Sequence, residues 1–381
     1  MSNDPYLISS STIKEPPVRL VDKFKFLGPG FILSASIVGS GELIATTVLG
    51  AKAGFAALWI IIISCLAKVA VQLEFGKHAI LTGERVMLAF NKLPGPHIGR
   101  GGWSVWAIFL MTFMKIVQVG GVLGGASVII HMIFPAISVT TWSIILATSV
   151  ALLIYNGKYA RVEKISLLMI SIFTVLTLTA LVSLQLTPYH FSIQEVIDSA
   201  RFDFSPEIMA FAIGAFGITG VASDEIIAYN YWCLEKGYAS YVGPREETDV
   251  WKKRARGWID VMYLDATVAM FFYTVVTVAF YLLGAAVLYE RGEVPIGNGV
   301  IESLALVYTQ TLGEGAKLAY LIGGFIVLYS TLYAALAAWT RLFSDATSQL
   351  GWYDFNDLAK RKSVIALFAW LFPCLWATMY L

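Results

Sequence analysis

The chain has 381 residues, 57% of them apolar and only 14% charged, with a mean hydropathy of +0.71 and a formal net charge of +1. Soluble domains carry about 25% charged residues, so the composition excludes an ordinary soluble protein and indicates one built into a lipid bilayer. No basic patch interleaved with aromatics points to nucleic acid, and Cys65, Cys233 and Cys374 have neither pairing nor metal-ligand spacing, which leaves them as small apolar residues.

The first 25 residues are polar and end in a basic stretch, unlike the apolar core of a cleavable signal, and read as a flexible cytosolic tail. Apolar windows of about 20 residues, the length that crosses a bilayer, place nine spans near 26–50, 54–77, 103–133, 138–156, 163–186, 206–232, 258–288, 316–344 and 363–381. With the N-terminus inside, the far side holds only Lys52, Arg201, Arg291 and Lys317, and Lys68 and Lys115 lie within spans. All other Lys and Arg of the 27 fall on the cytoplasmic side, as the positive-inside rule requires of an integral protein of the plasma (inner) membrane. The stretch 233–257, with Glu246, Glu247, Lys252, Lys253 and Arg254, is the longest charged cytoplasmic connection, and 289–315 is an external loop with a short helix around 300–311.

Two spans break the rules for a continuous helix. The first reads FLGPGFILSASIVGSGELIATTVLG and carries Gly39-Ser40-Gly41-Glu42 at half depth. Two glycines there disfavour helix, and a carboxylate at that depth needs a polar cavity, a partner or a cation. The sixth reads FAIGAFGITGVASDEIIAYNYW, with Gly214, Gly217 and Gly220 ahead of Asp224 and Glu225. Glycine-rich interruptions five spans apart indicate two repeats of opposite topology, about 26–186 and 206–381, in one transmembrane domain with its site between the breaks. Glu42 is the candidate ligand, the alternative being a structural pair with Lys68 or Lys115. Asp224 and Glu225 are adjacent, so on one helix they point about 100° apart and one of them is expected to face the site. Asp260 and Asp265 read as interfacial, and His78, His97, His131 and His190 fall near span ends or in loops, away from a metal role.

Gly28-Pro29-Gly30, Gly54-Phe55, Leu58-Trp59, Gln72, Leu81-Thr82-Gly83 and Ser330-Thr331 follow one another in the order and spacing of the Nramp family of divalent-metal transporters, which the chain resembles over nearly its whole length. The resemblance implies an all-α, ten-helix inverted-repeat core with broken helices one and six holding the metal. The sequence stops at Leu381, at the end of a ninth span, so the tenth helix is expected to be missing. The family's Asp-Pro-Gly-Asn aligns here with Gly39-Ser40-Gly41-Glu42. Its Met-Pro-His aligns with Ala222-Ser223-Asp224, or with Val221-Ala222-Ser223. The aspartate and glutamate of its proton path fall on Lys115 and Gln118. These departures resemble the magnesium-transporting branch of the family.

The resemblance therefore implies a substrate site built from Gly39, Ser40, Glu42, Thr219, Gly220, Ala222, Ser223 and Asp224, with Glu42, Gly39 and Asp224 as metal ligands. All its groups are hard oxygens. Without a thioether the set suits Mg²⁺ or Mn²⁺ over Fe²⁺, and Mg²⁺ favours a roomy site that leaves it partly hydrated. Lys115 and Gln118 cannot relay protons as carboxylates do, so proton coupling is expected to be weak or absent. The leading reading is a secondary transporter of a divalent cation working by alternating access, with the cation as substrate, the bilayer as its surroundings and no cofactor. A carrier of a small organic solute on the same scaffold and a non-transporting receptor or scaffold are the alternatives. No nucleophile–base pair or phosphate loop suggests an enzyme, and the sequence does not fix an oligomeric state.

Overall fold

The computed structural model describes residues 4–39, 41–295 and 299–380, with the backbone alone of 307–312 and 314. Helix occupies each of the nine apolar segments. The first is α1 (Pro29–Ile37), followed after a break by a π-helical turn (Gly41–Thr46) and α2 (Thr47–Ala53). Then come α3 (Leu58–Thr82), α4 (Trp103–Ile133), α5 (Val139–Ile154) and α6 (Tyr159–Leu184). The sixth segment is again two helices, α7 (Pro206–Ile218) and α8 (Ser223–Lys236). The rest are α9 (Asp249–Leu283), the connecting helix α10 (Gly299–Leu312), α11 (Glu314–Gln349) and α12 (Leu358–Thr378).

Among the described residues six helices are long and apolar enough to cross a membrane, or seven if the bent pair α1–α2 is one span. α5, with 16 residues, is shorter, and α12 opens on Lys360, Arg361 and Lys362. α11 is the central post, packing against α1, α4, α6, α8 and α12, while α9 packs on α1 and α3. A two-residue antiparallel hairpin, His97–Ile98 with Gly101–Gly102, is the one pair of strands among the described residues.

Local chemistry explains the start of α1. Pro29 occupies the first helical turn, where its missing N–H costs nothing. The N–H groups of Gly28 and Gly30 donate to the two carboxylate oxygens of Asp265 at 2.7 and 2.6 Å, and the Tyr229 hydroxyl adds a third bond at 3.2 Å. Asp265 is thus not interfacial, as its place near the start of span seven suggested; it is fully buried on α9 and caps another span. Asp265→Asn removes one of the acceptors and is expected to destabilise the fold by about 1–3 kcal/mol. An unchanged denaturation midpoint would contradict this capping role.

Residues 4–16 are not loose either. Asp4 Oδ1 forms a buried ion pair with Arg361 at 2.8 Å, and the Tyr6 hydroxyl donates to Glu235 at 2.5 Å. Thr12 bonds the Ser240 carbonyl, the Lys14 backbone exchanges bonds with Tyr241 and Trp258, and Glu15 pairs with Arg254. The segment is a strap across the face where α8 and α11 end and α9 and α12 begin. The stretch 233–257 is mostly ordered helix for the same reason: α8 runs on to Lys236, a short helix covers Tyr238–Val242, and α9 starts at Asp249. Cys65 and Cys233 are buried as small apolar residues, whereas Cys374 is exposed.

Candidate functional site

Breaking a helix frees the carbonyls of its last turn and the N–H groups of the next first turn, and in an apolar interior each needs a partner. The partners here define the site. α1 stops at Ile37 and the chain resumes at Gly41, the two parts bent by 50°. The hydroxyl oxygen of Thr331 on α11 lies 3.2 and 3.1 Å from the carbonyl oxygens of Ser36 and Val38, sharing its proton between them. α7 stops at Ile218, and the ammonium of Lys68 on α3 donates to the carbonyls of Phe216, Gly217 and Thr219 at 2.6, 3.1 and 2.6 Å. Ser64, one turn earlier on α3, also lies within 2.8 and 3.1 Å of the Phe216 and Thr219 carbonyls.

The freed N–H groups go to two carboxylates. Glu42, fully buried, accepts the Gly39 N–H on one oxygen at 3.1 Å and the Gly220 N–H on the other at 3.0 Å, so a single side chain bridges both breaks. Glu225 accepts the Ala222 N–H at 2.7 Å and the Ser36 hydroxyl at 3.1 Å, linking α8 to the end of α1. Two glycines permit this proximity. Gly220 has φ +67°, in the left-handed region, and a Cβ on Gly41 would stand 2.8 Å from the Ile218 carbonyl oxygen.

Between the breaks lies a cavity of about 290 Å³ lined by Ser36, Lys68, Lys115, Gln118, Asp224 and Glu225, among others. Asp224 is buried, ion-paired through one oxygen with the Lys115 ammonium and accepting the Trp339 indole N–H on the other at 2.9 Å. Adjacency had suggested that Asp224 and Glu225 could not both face one site. Both do, because they occupy the first turn of α8, where side chains fan around an open helix end and Glu225 folds back onto its own N-cap.

Of the residues expected at the site, Ala222, Ser223, Asp224, Lys115 and Gln118 line the cavity. Gly39, Glu42, Thr219 and Gly220 are not among its lining residues: Glu42 takes the N–H groups of Gly39 and Gly220, and the Thr219 hydroxyl donates to Ser64. Neither Lys68 nor Lys115 is the hydrogen-bond partner of Glu42. Ser40 lies outside the described residues. The sequence reading passed over Ser36 and Trp339, weighed Glu225 only as an alternative to Asp224, and read Lys68 only as a candidate partner of Glu42. An acid in the third position of a helix reopening after a break, and a lysine in the middle of an apolar run, were the available signals. Among the described residues no cluster of three or more His, Cys, Asp or Glu is placed to hold a metal, so any cation here relies on carbonyl, hydroxyl and water oxygens besides two carboxylates.

A family model described as natural resistance-associated macrophage protein-like (Nramp) matches residues 30–379. The chain belongs to the Nramp family. An uncharacterized protein of Pasteurella multocida is 25% identical over 84% of this chain and 70% of its own length. The divalent metal cation transporter MntH of Xanthomonas campestris is 23% identical over 83% of this chain and 71% of its own. Among solved structures, a mutant of the Eremococcus coleocola manganese transporter superposes with a TM-score of 0.68 over 95% of this chain and 74% of that one, at 16% identity. MhsT in complex with L-phenylalanine superposes at 0.54 over 96% and 80%, at 14% identity. These likenesses establish the fold, and membership of Nramp sets the chain among transporters rather than enzymes. Two Nramp-like motifs now have a physical reason: Gly28-Pro29-Gly30 is the stretch capped by Asp265, and Thr331 closes the end of α1.

Proposed function

We propose that this Nramp protein is a secondary transporter that carries a divalent metal cation by alternating access, the repeats 26–186 and 206–381 rocking about the two breaks. The observation that carries the reading is the presentation of two carboxylates, Asp224 and Glu225, into one polar cavity at the meeting of the breaks. Glu42 and the Gly39 backbone support it from outside the lining, Glu42 holding the two breaks at the spacing the site requires. The Ser223 hydroxyl and the carbonyls near Ala222 supply the rest.

With no thioether or imidazole at the cavity, the set favours a hard cation, Mg²⁺ or Mn²⁺ over Fe²⁺, and the space admits retained waters. Lys115 and Gln118, in place of proton-path acids, imply flux weakly coupled or uncoupled to protons. The strapped face is cytoplasmic, in a plasma (inner) membrane. Titration calorimetry with Mg²⁺ and Mn²⁺ tests the cargo. Glu225→Gln keeps the capping bond but removes the charge, and is expected to weaken divalent binding about tenfold, on the order of 1.4 kcal/mol. Equal affinity in this variant and the wild type would sink the site. For coupling, metal influx into proteoliposomes should not respond to an imposed pH gradient, and proton entry tracking metal entry would refute the uncoupled reading.

One observation favours a second reading. Lys68 and Lys115 bring two ammonium groups to the same cavity as two carboxylates, an environment that also suits a small zwitterion. The solved MhsT complex contains L-phenylalanine on this fold. An amino-acid panel in the same calorimeter decides between the two.

A further inference from the structure

We propose that Lys68 is a built-in monovalent cation: its ammonium fills a carbonyl cage at the end of α7 that would otherwise hold an alkali-metal ion. The lysine sits near the middle of the apolar helix Leu58–Thr82, the depth at which a lone charge is least tolerated. Among the described residues it forms no ion pair with a carboxylate. The two nearby acids are otherwise engaged, Glu42 by the N–H groups of Gly39 and Gly220, and Glu225 by Ala222 and Ser36. Its direct hydrogen-bond partners are carbonyl oxygens alone.

An ammonium has three N–H donors, and three carbonyls receive them, those of Phe216, Gly217 and Thr219 at 2.6, 3.1 and 2.6 Å. These carbonyls belong to the last turn of α7 and the residue just past it, where the helix dipole concentrates about half a negative charge. The Ser64 oxygen stands against two of the same carbonyls, at 2.8 and 3.1 Å, and the ammonium lies 5.4 Å from the Phe216 ring centroid. Neutral oxygens at the carbonyl end of a broken helix are the ligand set with which transporters of this architecture hold monovalent co-ions. Here the chain supplies the charge itself, on a tether that cannot dissociate. Lys68 also lines the central cavity, so the cage is reachable from it once the side chain is cut back. On the transporter reading above, the consequence is a carrier with no monovalent co-ion.

The test is the thermal unfolding midpoint of the purified full-length protein at constant ionic strength, in Na⁺, K⁺ or methylammonium, with N-methylglucamine as the inert reference. The wild type should give one midpoint in all four. Lys68→Ala should unfold at a lower temperature in the reference cation and recover at least half of the loss, saturably, in one of the small cations. Lys68→Gln, which can hydrogen-bond but carries no charge, should not recover without an added ion. The assignment is overturned if the wild type responds to Na⁺ or K⁺, if Lys68→Ala responds to none of the three, or if Lys68→Gln alone restores the midpoint. Should Lys68→Ala prove impossible to purify, an ion-dependent gain in Lys68→Gln supports the assignment and its absence overturns it. Failure of the wild type to bind divalent metal would count against the proposed cargo only, since this readout is stability in monovalent ions.

Discussion

Glu42→Ala is expected to destabilise the protein by about 2–6 kcal/mol, the cost of leaving two buried N–H groups without their acceptor, and to weaken divalent binding together with stability. The residue is fully buried, and each of its oxygens takes a backbone N–H from a different half of the structure, Gly39 from the first break and Gly220 from the sixth. Alanine leaves both N–H groups without an acceptor, at about 1–3 kcal/mol each, and removes the Glu42 bridge between the breaks. Glu42→Gln should cost about half as much, because its amide oxygen can serve one N–H while its NH₂ faces the other donor. Chemical denaturation of the three proteins, followed by calorimetry on those that remain folded, checks the order alanine, glutamine, wild type. A midpoint for Glu42→Ala equal to that of the wild type would remove the bridging role.

The second large effect is expected at Arg341. Its guanidinium grips Glu235 with two bonds, Nε to Oε1 at 3.0 Å and Nη2 to Oε2 at 3.1 Å, and also donates to the Gly157 carbonyl at 2.8 Å. Both side chains are buried, and Tyr6 of the strap completes the cluster on Glu235. Arg341→Ala strands a buried carboxylate and should cost about 3–5 kcal/mol. Because the pair joins α8 to α11 beneath the strap, its loss should also loosen that face. In a Cys65→Ala, Cys374→Ser background, maleimide labelling of the buried Cys233 on α8 should speed up several-fold over the intact pair. Identical labelling rates and identical midpoints would show that the cluster does not hold the face closed.

The membrane segments were legible because apolarity over about 20 residues is a one-dimensional signal, and the first break was legible because Gly39, Gly41 and Glu42 violate it locally. The membership of the cavity was only half legible. Asp224 was readable from its neighbouring glycines, but its fellow Glu225 was misjudged, since the 100° spacing fixes where a side chain leaves the helix and not that Glu225 folds back over the open end onto the Ala222 N–H. Glu42 was read as a ligand because depth alone cannot say whether a carboxylate meets a cation or two backbone N–H groups. Asp265 shows the same limit: its place in the chain suggests an interface, whereas its partners, Gly28 and Gly30, lie on another span. The strap was illegible for a different reason. Asp4, Tyr6 and Thr12 carry no periodicity, and each gains its order from a partner far along the chain.

That pairing of the two ends has a consequence for biogenesis. Asp4 is synthesised long before Arg361, which belongs to α12. At 5–20 residues per second the wait is on the order of tens of seconds, and during it Asp4 lacks its partner although Tyr6, Thr12 and Glu15 can already meet Glu235, Ser240 and Arg254. The strap therefore closes in two stages, and a stalled nascent chain lacking α12 should be cut by limited digestion ahead of Tyr6 while the stretch from Tyr6 to Glu15 stays held.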